Sequence, residues 1–427
     1  MAGLGACGPA APKRPNLLLI LVDDLRWDAM SCAGNTALNT PGFDRLAREG
    51  VRFSQAFVTT SLCCPSRASI FSGLDPEAHG VQDISAELAD SVAIFPDRLR
   101  SAGYETAHIG KWHLNRYANR DPAFERWVSF VTWVPYQNPE LVVENSLMKF
   151  EGHLTDVLTD LAVHFVQQEH ERPFFLVLSH MAPHMPFNPQ ERFVGSFDQT
   201  PIALAGNVGP PDESKPPWLQ CRQASADWSE LARKYYEMVA GVDESVSKVL
   251  AALEQQGVLD DTLIILMSDN GLHLGEHGLG DKRSAYEESI RIPLLVRYPP
   301  WFSAGQVVDG SIALNTDIAA SFLEAAGLES PGVNLRALAD GRASRDYFRY
   351  RYWQSPSDDP VAHCTPSLRA LRTRRWKLIE SVDGEGAPFE EVYDLSTDPL
   401  ELSNLSGSAQ LGASTADSLR ALLGRRN

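Results

Sequence analysis

Short apolar runs that end in polar residues recur along this chain, and they constrain its fold more than any other feature. The first run, residues 17–22, is unbroken, which is typical of a strand buried on both faces of a parallel sheet. Segments with helical spacing of apolar residues, such as 153–169 and 228–256, alternate with these runs. The other predicted strands of this sheet are residues 106–109, 174–178, 262–267 and 291–298. This alternation predicts an α/β fold with a large, mostly parallel sheet covered by helices on both faces.

Oxygen-bearing side chains follow two of these runs. Asp23 and Asp24 come after the first run, and Asp269 and Asn270 come after residues 262–267. Open α/β sheets place their ligands at the carboxyl ends of strands, so we expect the four side chains to meet there. Adjacent buried carboxylates repel each other unless a cation lies between them. An oxygen-only set favours a hard divalent cation over zinc, although a solvated turn is the alternative for Asp23 and Asp24 taken alone.

A second distinctive stretch, residues 61–73, reads SLCCPSRASIFSG. Pro65 suits the first position of a helix, and Gly73 suits the residue just past its end. Cys63 is therefore predicted to lie just before a helix N-terminus, where unpaired N–H groups and the helix dipole favour an anion. Arg67 adds a positive charge one turn later. The alternative is a helix start that carries inert buried thiols.

The pattern Cys63-x-Pro65-x-Arg67, continued by ASIFSG, resembles the signature of the type I sulfatases of the alkaline-phosphatase superfamily. The resemblance extends from about Pro15 to Leu405 and is greatest to glucosamine-6-sulfatase and related glycan sulfatases. It implies that a formylglycine-generating enzyme oxidises Cys63 to formylglycine during maturation, with Cys64 in the variable position of the motif.

The resemblance also implies a complete set of site residues. A Gly-Lys-x-His element supplies Lys111 and His113, an Ala-Pro-His element singles out His184 over His180, and Lys282 follows the SDNG stretch. The implied catalytic residues are Cys63, Arg67, Lys111, His113, His184 and Lys282, and the implied metal ligands are Asp23, Asp24, Cys63, Asp269 and Asn270. The implied cation is Ca²⁺, with Mg²⁺ as the alternative.

The implied roles form two groups. Arg67 and Lys111 hold the nucleophile and balance its charge, and His113 forms a hydrogen bond with it. His184 and Lys282 bind the sulfate, and either one is a candidate to protonate the leaving alcohol.

The composition of the chain limits the kinds of molecule that it is expected to bind. The 427 residues carry a formal net charge of −17, which argues against a nucleic-acid partner and requires a locally basic site for a polyanionic substrate. No apolar run approaches the length of a membrane span. We predict an N-terminal tail at 1–14, a catalytic domain at 15–340 and a C-terminal α+β subdomain with short antiparallel strands at 341–427. Basic residues of that subdomain are either a sulfate subsite or a solvated face: Arg369, Arg372, Arg374, Arg375 and Lys377.

The six cysteines have neither the spacing of a disulfide framework nor that of a zinc site. If Cys63 is converted, five remain, and at least one thiol stays unpaired. Residues 4–7, LGAC, resemble the cleavage box of bacterial lipoproteins, but no apolar segment precedes them. They hint at an exported protein with a truncated start, although a chance match is equally compatible, and the compartment stays open.

Three function classes follow. The first is a sulfatase that acts on a sulfated sugar or polysaccharide, with an arylsulfatase as its variant. The second is a phosphonate monoester or phosphodiester hydrolase, which shares the fold and the formylglycine. The third is a non-catalytic protein that binds sulfated glycans, and the complete set of candidate residues argues against it.

Overall fold

The computed structural model describes residues 14–114, 121–130, 133–211, 213–222, 226–354, 363–382 and 388–424. Cys7 and the lipoprotein-like segment lie outside these residues. The described strands are β1 (Asn16–Val22), β2 (Val51–Phe53), β3 (Ala56–Phe57), β4 (Glu105–Lys111), β5 (Arg126–Phe130), β6 (Glu140–Val143), β7 (Ser146–Lys149), β8 (Phe174–His180), β9 (Thr262–Ser268), β10 (His273–Leu274), β11 (Gly280–Asp281), β12 (Leu294–Arg297), β13 (Gln306–Val308), β14 (Ala313–Leu314), β15 (Tyr347–Tyr352), β16 (Ser367–Thr373), β17 (Trp376–Val382) and β18 (Phe389–Asp394).

The described α-helices are α1 (Pro41–Glu49), α2 (Cys63–Ser72), α3 (Pro76–His79), α4 (Phe95–Ser101), α5 (Leu154–Gln167), α6 (Trp218–Cys221), α7 (Trp228–Gln255), α8 (Glu287–Ile290), α9 (Asp317–Ala325), α10 (Leu335–Ala339) and α11 (Ala413–Gly424). Short 3₁₀ helices occupy Ser31–Ala33 and Glu191–Phe193, the second of them within the proline-rich segment 186–217.

The large sheet has ten strands in the order β13-β2-β12-β9-β1-β8-β4-β5-β6-β7. Its centre, from β9 to β5, is parallel throughout, while β12, β6 and β7 pair antiparallel. Residues of β1 alternate between two apolar cores, since Leu18 and Ile20 pack on the side of α5 and α7, while Leu17 and Leu19 pack on the side of α2 and α9. The predicted fold class, a mostly parallel sheet covered on both faces, is confirmed.

The start of α2 differs from the prediction. The helix begins at Cys63 itself, with Leu62 as the N-cap residue, so Pro65 stands third rather than first. A proline is tolerated there because the first turn of a helix has no intrahelical partner for its N–H groups. Gly73 ends the helix with a left-handed φ of 73°, as predicted.

The predicted strand at 291–298 is also shorter than expected. It is reduced to β12, Leu294–Arg297, because the chain is still leaving α8 at Arg291, whose N–H bonds to the carbonyl of Glu287.

A four-stranded antiparallel sheet, in the order β15-β16-β17-β18, forms the C-terminal part. One face of this small sheet is covered by α11. On the other face, Tyr350 and Tyr393 share an apolar core with Phe57 and Tyr286 of the preceding part of the chain. All four strands follow the boundary predicted at 340/341, although the division into domains stays a prediction. The small antiparallel sheet completes the predicted architecture.

Most basic residues of this sheet are held by carboxylates. Arg372 and Lys377 are buried and share Glu287, and Lys377 also pairs with Glu401 at 2.7 Å. Arg369 pairs with Glu380, and Arg375 pairs with Asp394. The cluster of positive charge therefore consists largely of structural ion pairs. Arg372 and Lys377 are buried in such pairs, so the prediction of either a sulfate subsite or a solvated face is wrong for these two residues.

Cys221 and Cys364 form a disulfide across 143 residues of sequence, which the cysteine spacing did not indicate. Cys32, Cys63 and Cys64 remain as thiols. Among the described residues, no helix combines the length and apolar character needed to cross a membrane.

Candidate active site

The parallel strands deliver the predicted site residues to one edge of the sheet. Asp23 and Asp24 follow β1, Lys111 ends β4, and Asp269 follows β9. Because β9, β1, β8 and β4 are neighbours, their carboxyl ends lie side by side and meet the N-terminus of α2, which carries Cys63. Asp24 has a positive φ of 61°, a strained backbone for a non-glycine residue of the kind that clusters at functional sites.

Arg67 lies at the centre of the cluster and is fully buried. Its Nε donates to Asp269 Oδ2 at 2.8 Å, and one terminal nitrogen donates to the Lys111 carbonyl at 2.7 Å and to Ser179 Oγ at 2.9 Å. The other terminal nitrogen has no hydrogen-bond partner in the described structure. One buried guanidinium group therefore joins three strands and keeps one terminal NH2 group for a ligand.

Asp23 links the predicted nucleophile position to Lys111. The Cys63 thiol donates to Asp23 Oδ1 at 3.3 Å, and Lys111 Nζ pairs with Asp23 Oδ2. All three side chains are buried, at 3% exposure or less. Position 63 is thus held beside a carboxylate and an ammonium group at the same time.

Asp24 binds donors from the opposite side of the site. Lys282 Nζ and the Asn270 side-chain amide both lie 2.5 Å from Asp24 Oδ1, and His184 Nε2 lies 3.7 Å from Asp24 Oδ2. The Asp24 N–H donates to Asp269 Oδ1 at 3.3 Å. Three of these contacts bring Lys282, Asn270 and His184 onto one carboxylate.

The donor set fits a hard divalent cation. Ligand atoms of Asp23, Asp24, Asp269 and Cys63 all lie within 4.8 Å of one another. Asn270 Oδ1 is buried and has no hydrogen-bond partner among the described residues, while the amide nitrogen of the same side chain donates to Asp24 Oδ1 at 2.5 Å. Carboxylate and amide oxygens are the ligands that Ca²⁺ and Mg²⁺ prefer.

The carboxylates differ in how readily they bind a proton. Burial acts to raise the pKa of Asp23, but the charges of Lys111, His184, Lys282 and Arg67 lower it well below its usual value. Burial and the neighbouring Asp23 charge raise the pKa of Asp269 to about 6, with Arg67 opposing them. Asp23 is therefore ionised near neutral pH. A bound cation would favour the ionised form of Asp269 as well, because a nearby positive charge lowers the pKa of a carboxyl group.

The histidines occupy different positions. His113 is buried with a φ of 57°, and its Nδ1 has no partner in the described structure. Burial and the charges of Lys111 and Arg67 lower the pKa of His113 well below its usual value, so its imidazole is neutral near pH 7. His184 is partly exposed, whereas His180 is fully buried and bonds to Ser245 Oγ at 2.9 Å. The structure thus brings His184, not His180, into the cluster.

Three further residues support the site and were missed in the sequence. Ser179 Oγ bridges Arg67 and the Lys111 carbonyl, and Ser268 Oγ donates to the carbonyls of Val22 and Asn270. The buried Tyr136 hydroxyl donates to the His184 carbonyl at 2.7 Å. The two serines stand at the carboxyl ends of β8 and β9, a signal that was available, but nothing near Tyr136 in sequence pointed to His184.

Comparison with known proteins gives the family. The Sulfatase family model matches residues 15–328, and the model for the C-terminal region of N-sulphoglucosamine sulphohydrolase matches residues 275–425. An N-acetylglucosamine-6-O-sulfatase of Bacteroides thetaiotaomicron is 29% identical over 93% of this chain and 84% of that protein. An ulvan-active sulfatase of Formosa agariphila is 26% identical over 93% of this chain and 78% of that protein.

Solved structures of other proteins share the fold of this chain. A protein solved in complex with its substrate D-glucosamine-2-N,6-O-disulfate is similar with a TM-score of 0.88 and 28% identity, covering 96% of this chain and 97% of that one. A phosphonate monoester hydrolase of Agrobacterium radiobacter shares the fold with a TM-score of 0.76 at 22% identity, over 96% of both chains. The family model covers well over half of the sequence, so this chain belongs to the sulfatase family and is a sulfuric ester hydrolase.

Proposed function

We propose that this chain hydrolyses a sulfate ester on a sulfated saccharide, with Ca²⁺ held at Asp23, Asp24, Asp269 and Asn270 and with position 63 converted to formylglycine. The observation that carries the proposal is the buried cluster of three carboxylates and the Cys63 thiol, whose ligand atoms all lie within 4.8 Å of one another. The names of the relatives support the substrate class, because an N-acetylglucosamine-6-O-sulfatase and a structure with a disulfated glucosamine are both similar over almost the whole chain.

The charge of the site suits a sulfate ester. Three carboxylates, Asp23, Asp24 and Asp269, are matched by the cations of Arg67, Lys111 and Lys282, so these six side chains are close to neutral together. A divalent cation would make the site positive and able to attract a sulfate monoanion. This local charge reconciles an anionic substrate with a chain whose net charge is −17.

The modified residue and the cation would supply, when present, a hydrated aldehyde as nucleophile and a polarising charge on the sulfate. The chain's own residues prepare the place for them. Asp23 and Lys111 hold the side chain of residue 63, and the free terminal nitrogen of Arg67 is available to the sulfate oxygens. Lys282, which is paired with Asp24, adds a second positive charge.

Departure of the saccharide alcohol needs a proton because an alkoxide is a poor leaving group. His184 is the candidate donor on geometric grounds. Its Nδ1 donates to the Met185 carbonyl at 2.6 Å, which fixes the ring and leaves Nε2 facing Asp24 and the site. Lys282 is the second candidate, since it also faces Asp24.

The test combines mass spectrometry with metal analysis of the protein produced together with a formylglycine-generating enzyme. We expect the peptide that spans residues 63–67 to carry formylglycine at position 63 and an unmodified Cys64. We expect about one Ca²⁺ per chain and loss of both Ca²⁺ and activity in Asp269→Ala. Asp243→Asn is the matched control, because Asp243 is a buried carboxylate that accepts from the N–H groups of Gly42 and Phe43 in α1 instead.

The outcomes are separable. An active preparation with an unmodified Cys63 would contradict the nucleophile, and undiminished calcium in Asp269→Ala would contradict the cation site. Faster turnover of nitrophenyl sulfate than of every sulfated saccharide would favour an arylsulfatase. Faster turnover of phosphonate monoesters or phosphodiesters would favour the second hydrolase class.

A further inference from the structure

Arg222, which directly follows α6, has a buried guanidinium group with unused donors. Its side chain is 0% exposed, and its Nη2 donates to the Gly280 carbonyl at 3.2 Å. Its Nε and Nη1 have no hydrogen-bond partner in the described structure. The adjacent Trp218 is also buried, and its indole N–H likewise has no partner there. Buried donors that remain unsatisfied are costly, so a folded protein normally places an acceptor against them.

The position of Arg222 connects it to the catalytic cluster. Gly280 and Asp281 form β11, and the next residue is Lys282, which contacts Asp24 at 2.5 Å. Arg222 therefore lies against the short strand that delivers Lys282. The preceding residue, Cys221, is fixed by its disulfide to Cys364, which holds this part of the chain beside the small sheet.

The charge of Arg222 is only partly offset. Asp281 Oδ2 lies 3.6 Å from Arg222 and 3.2 Å from Arg283, so one carboxylate serves two guanidinium groups. Lys282 cannot offset the charge of Arg222, because it is itself positively charged and is paired with Asp24. Burial lowers the pKa of Arg222 and the Arg283 charge lowers it further, while Asp281 opposes them. Arg222 thus holds a positive charge that Asp281 offsets in part, in a place where water is largely excluded.

We infer that Arg222 forms an anion-binding subsite next to Lys282, which takes a second sulfate or carboxylate group of the saccharide substrate. Its two nitrogens that have no partner among the described residues, Nε and Nη1, can each donate to an oxygen of either group, whereas an ammonium group has all its donors on one nitrogen. Low exposure does not argue against a ligand here, because Lys282, which faces the catalytic cluster, is itself only 3% exposed. The inference rests on the proposed function, since it assumes a saccharide sulfate as substrate.

The experiment compares substrates that differ in one anionic group. The kcat/KM is measured on N-acetylglucosamine 6-O-sulfate, on D-glucosamine 2-N,6-O-disulfate, and on a disaccharide that joins a uronic acid to 6-sulfated N-acetylglucosamine. We expect the unmutated enzyme to prefer at least one of the two doubly charged substrates. Arg222→Gln should reduce that preference by about ten- to a hundredfold, the usual worth of hydrogen bonds to a charged group. Turnover of the singly charged substrate should change little.

Two further variants keep the test decisive. Arg297→Gln is the control, because Arg297 is a similarly buried arginine whose donors are used by Glu49, Asp260 and the Leu259 carbonyl. It should leave the preference unchanged. Arg222→Lys retains the positive charge but has its donors on one nitrogen only, so it should lose part of the preference. If thermal melting shows that Arg222→Gln does not fold, Arg222→Lys is measured in its place.

The possible failures are distinct. If the unmutated enzyme cleaves none of the saccharides, the proposed function fails. If it cleaves them without preference, or if Arg222→Gln slows all of them equally, the subsite is overturned. If chloride or inorganic sulfate changes turnover of the singly charged substrate in the unmutated enzyme but not in Arg222→Gln, the site takes a free inorganic anion, and the substrate subsite is also overturned.

Discussion

At the scale of single residues, His184 and Lys282 differ in how tightly each holds a proton. Burial acts to lower the pKa of Lys282, but the nearby charges of Asp24 and Asp23 raise it well above its usual value. Burial and the Lys282 charge lower the pKa of His184, against Asp24 and Asp23. A strongly held proton makes Lys282 a poor acid, so it suits binding of the sulfate, while His184 gives up its proton more readily and can act as the acid only in its imidazolium form.

The first prediction follows from this difference. In His184→Ala, turnover of a saccharide sulfate should fall by about 10²–10⁴-fold, the usual contribution of a positioned acid. Turnover of nitrophenyl sulfate should fall much less, because a phenolate leaves without a proton. Steady-state kinetics on both substrates gives the measurement. Equal losses on both would mean that His184 only binds the sulfate.

Gly110 shows how one residue without a side chain places another. It has a φ of 120°, and a Cβ at this position would lie 1.9 Å from the Ser179 carbonyl oxygen of the neighbouring strand β8. The close approach of β4 to β8 is therefore possible only with glycine, and it sets the position of Lys111, the next residue.

The second prediction concerns this contact. Gly110→Ala should lower stability by about 2–4 kcal/mol through the clash and the unfavourable backbone, and it should also reduce activity by displacing Lys111. Gly103→Ala is the matched control, since Gly103 has a φ of 91° but a Cβ added there would meet only open space. Urea unfolding of both variants measures the difference. A Gly110→Ala protein as stable and active as the control would contradict the argument.

At the scale of secondary-structure elements, the short helix α8 concentrates buried acids where the two sheets meet. Glu287 of α8 is paired with Arg372 and Lys377, whereas Glu288 accepts from the Asn207 amide at 2.9 Å on one oxygen and lies 3.9 Å from His277 Nε2 with the other. Burial and the charges of Glu276 and Glu401 raise the pKa of Glu288 to about 8. Glu288 is therefore protonated in the folded protein near neutral pH.

The third prediction is a pH dependence of stability. The folded chain keeps the Glu288 proton up to about pH 8, whereas the unfolded chain, with a pKa of about 4.5, has lost it. Stability therefore falls as the pH rises through this window, by about 2–3 kcal/mol between pH 6 and pH 9. Glu288→Gln should remove most of this fall because the amide stays neutral. Urea unfolding at both pH values tests it, and an identical fall in the variant would refute it.

At the scale of the whole molecule, the Cys221–Cys364 disulfide joins the segment before α7 to the small C-terminal sheet. It closes 143 residues of chain, so it limits the unfolded state more than a short loop would. It also sits beside Arg222, so the same cross-link affects both the stability of the molecule and the placement of the inferred subsite.

The fourth prediction is that removal of this cross-link lowers stability by about 2–5 kcal/mol. The double variant Cys221→Ala, Cys364→Ala should melt at a lower temperature than the oxidised protein, and a reductant should lower the melting temperature of the unmutated protein but not of the variant. Cys32→Ala serves as the control for loss of a thiol, because Cys32 forms no disulfide. If melting does not change in either comparison, the disulfide does not contribute to stability.

Local sequence determined the strands, most of the helices and the residues at their ends. Apolar runs of strand length followed by Asp, Asn or Lys are typical of buried strands with polar carboxyl ends, and parallel pairing then brings those ends to one edge. For this reason Asp23 and Asp269 could be named together before their contacts were known, while Lys111 was named through the family resemblance. The Cys63 motif added the chemistry through family resemblance, and the roles of the individual site residues remain predictions.

The tertiary structure alone decided which groups pair. The shared ion pairs of Arg372 and Lys377, the link from Tyr136 to His184 and the Cys221–Cys364 disulfide join residues that are far apart in sequence. Such contacts depend on the order of strands in the sheet and on how the small sheet packs, and neither is set by local propensity. The unused donors of Arg222 have the same origin, because a sequence states that an arginine is present but not whether folding leaves its donors without an acceptor.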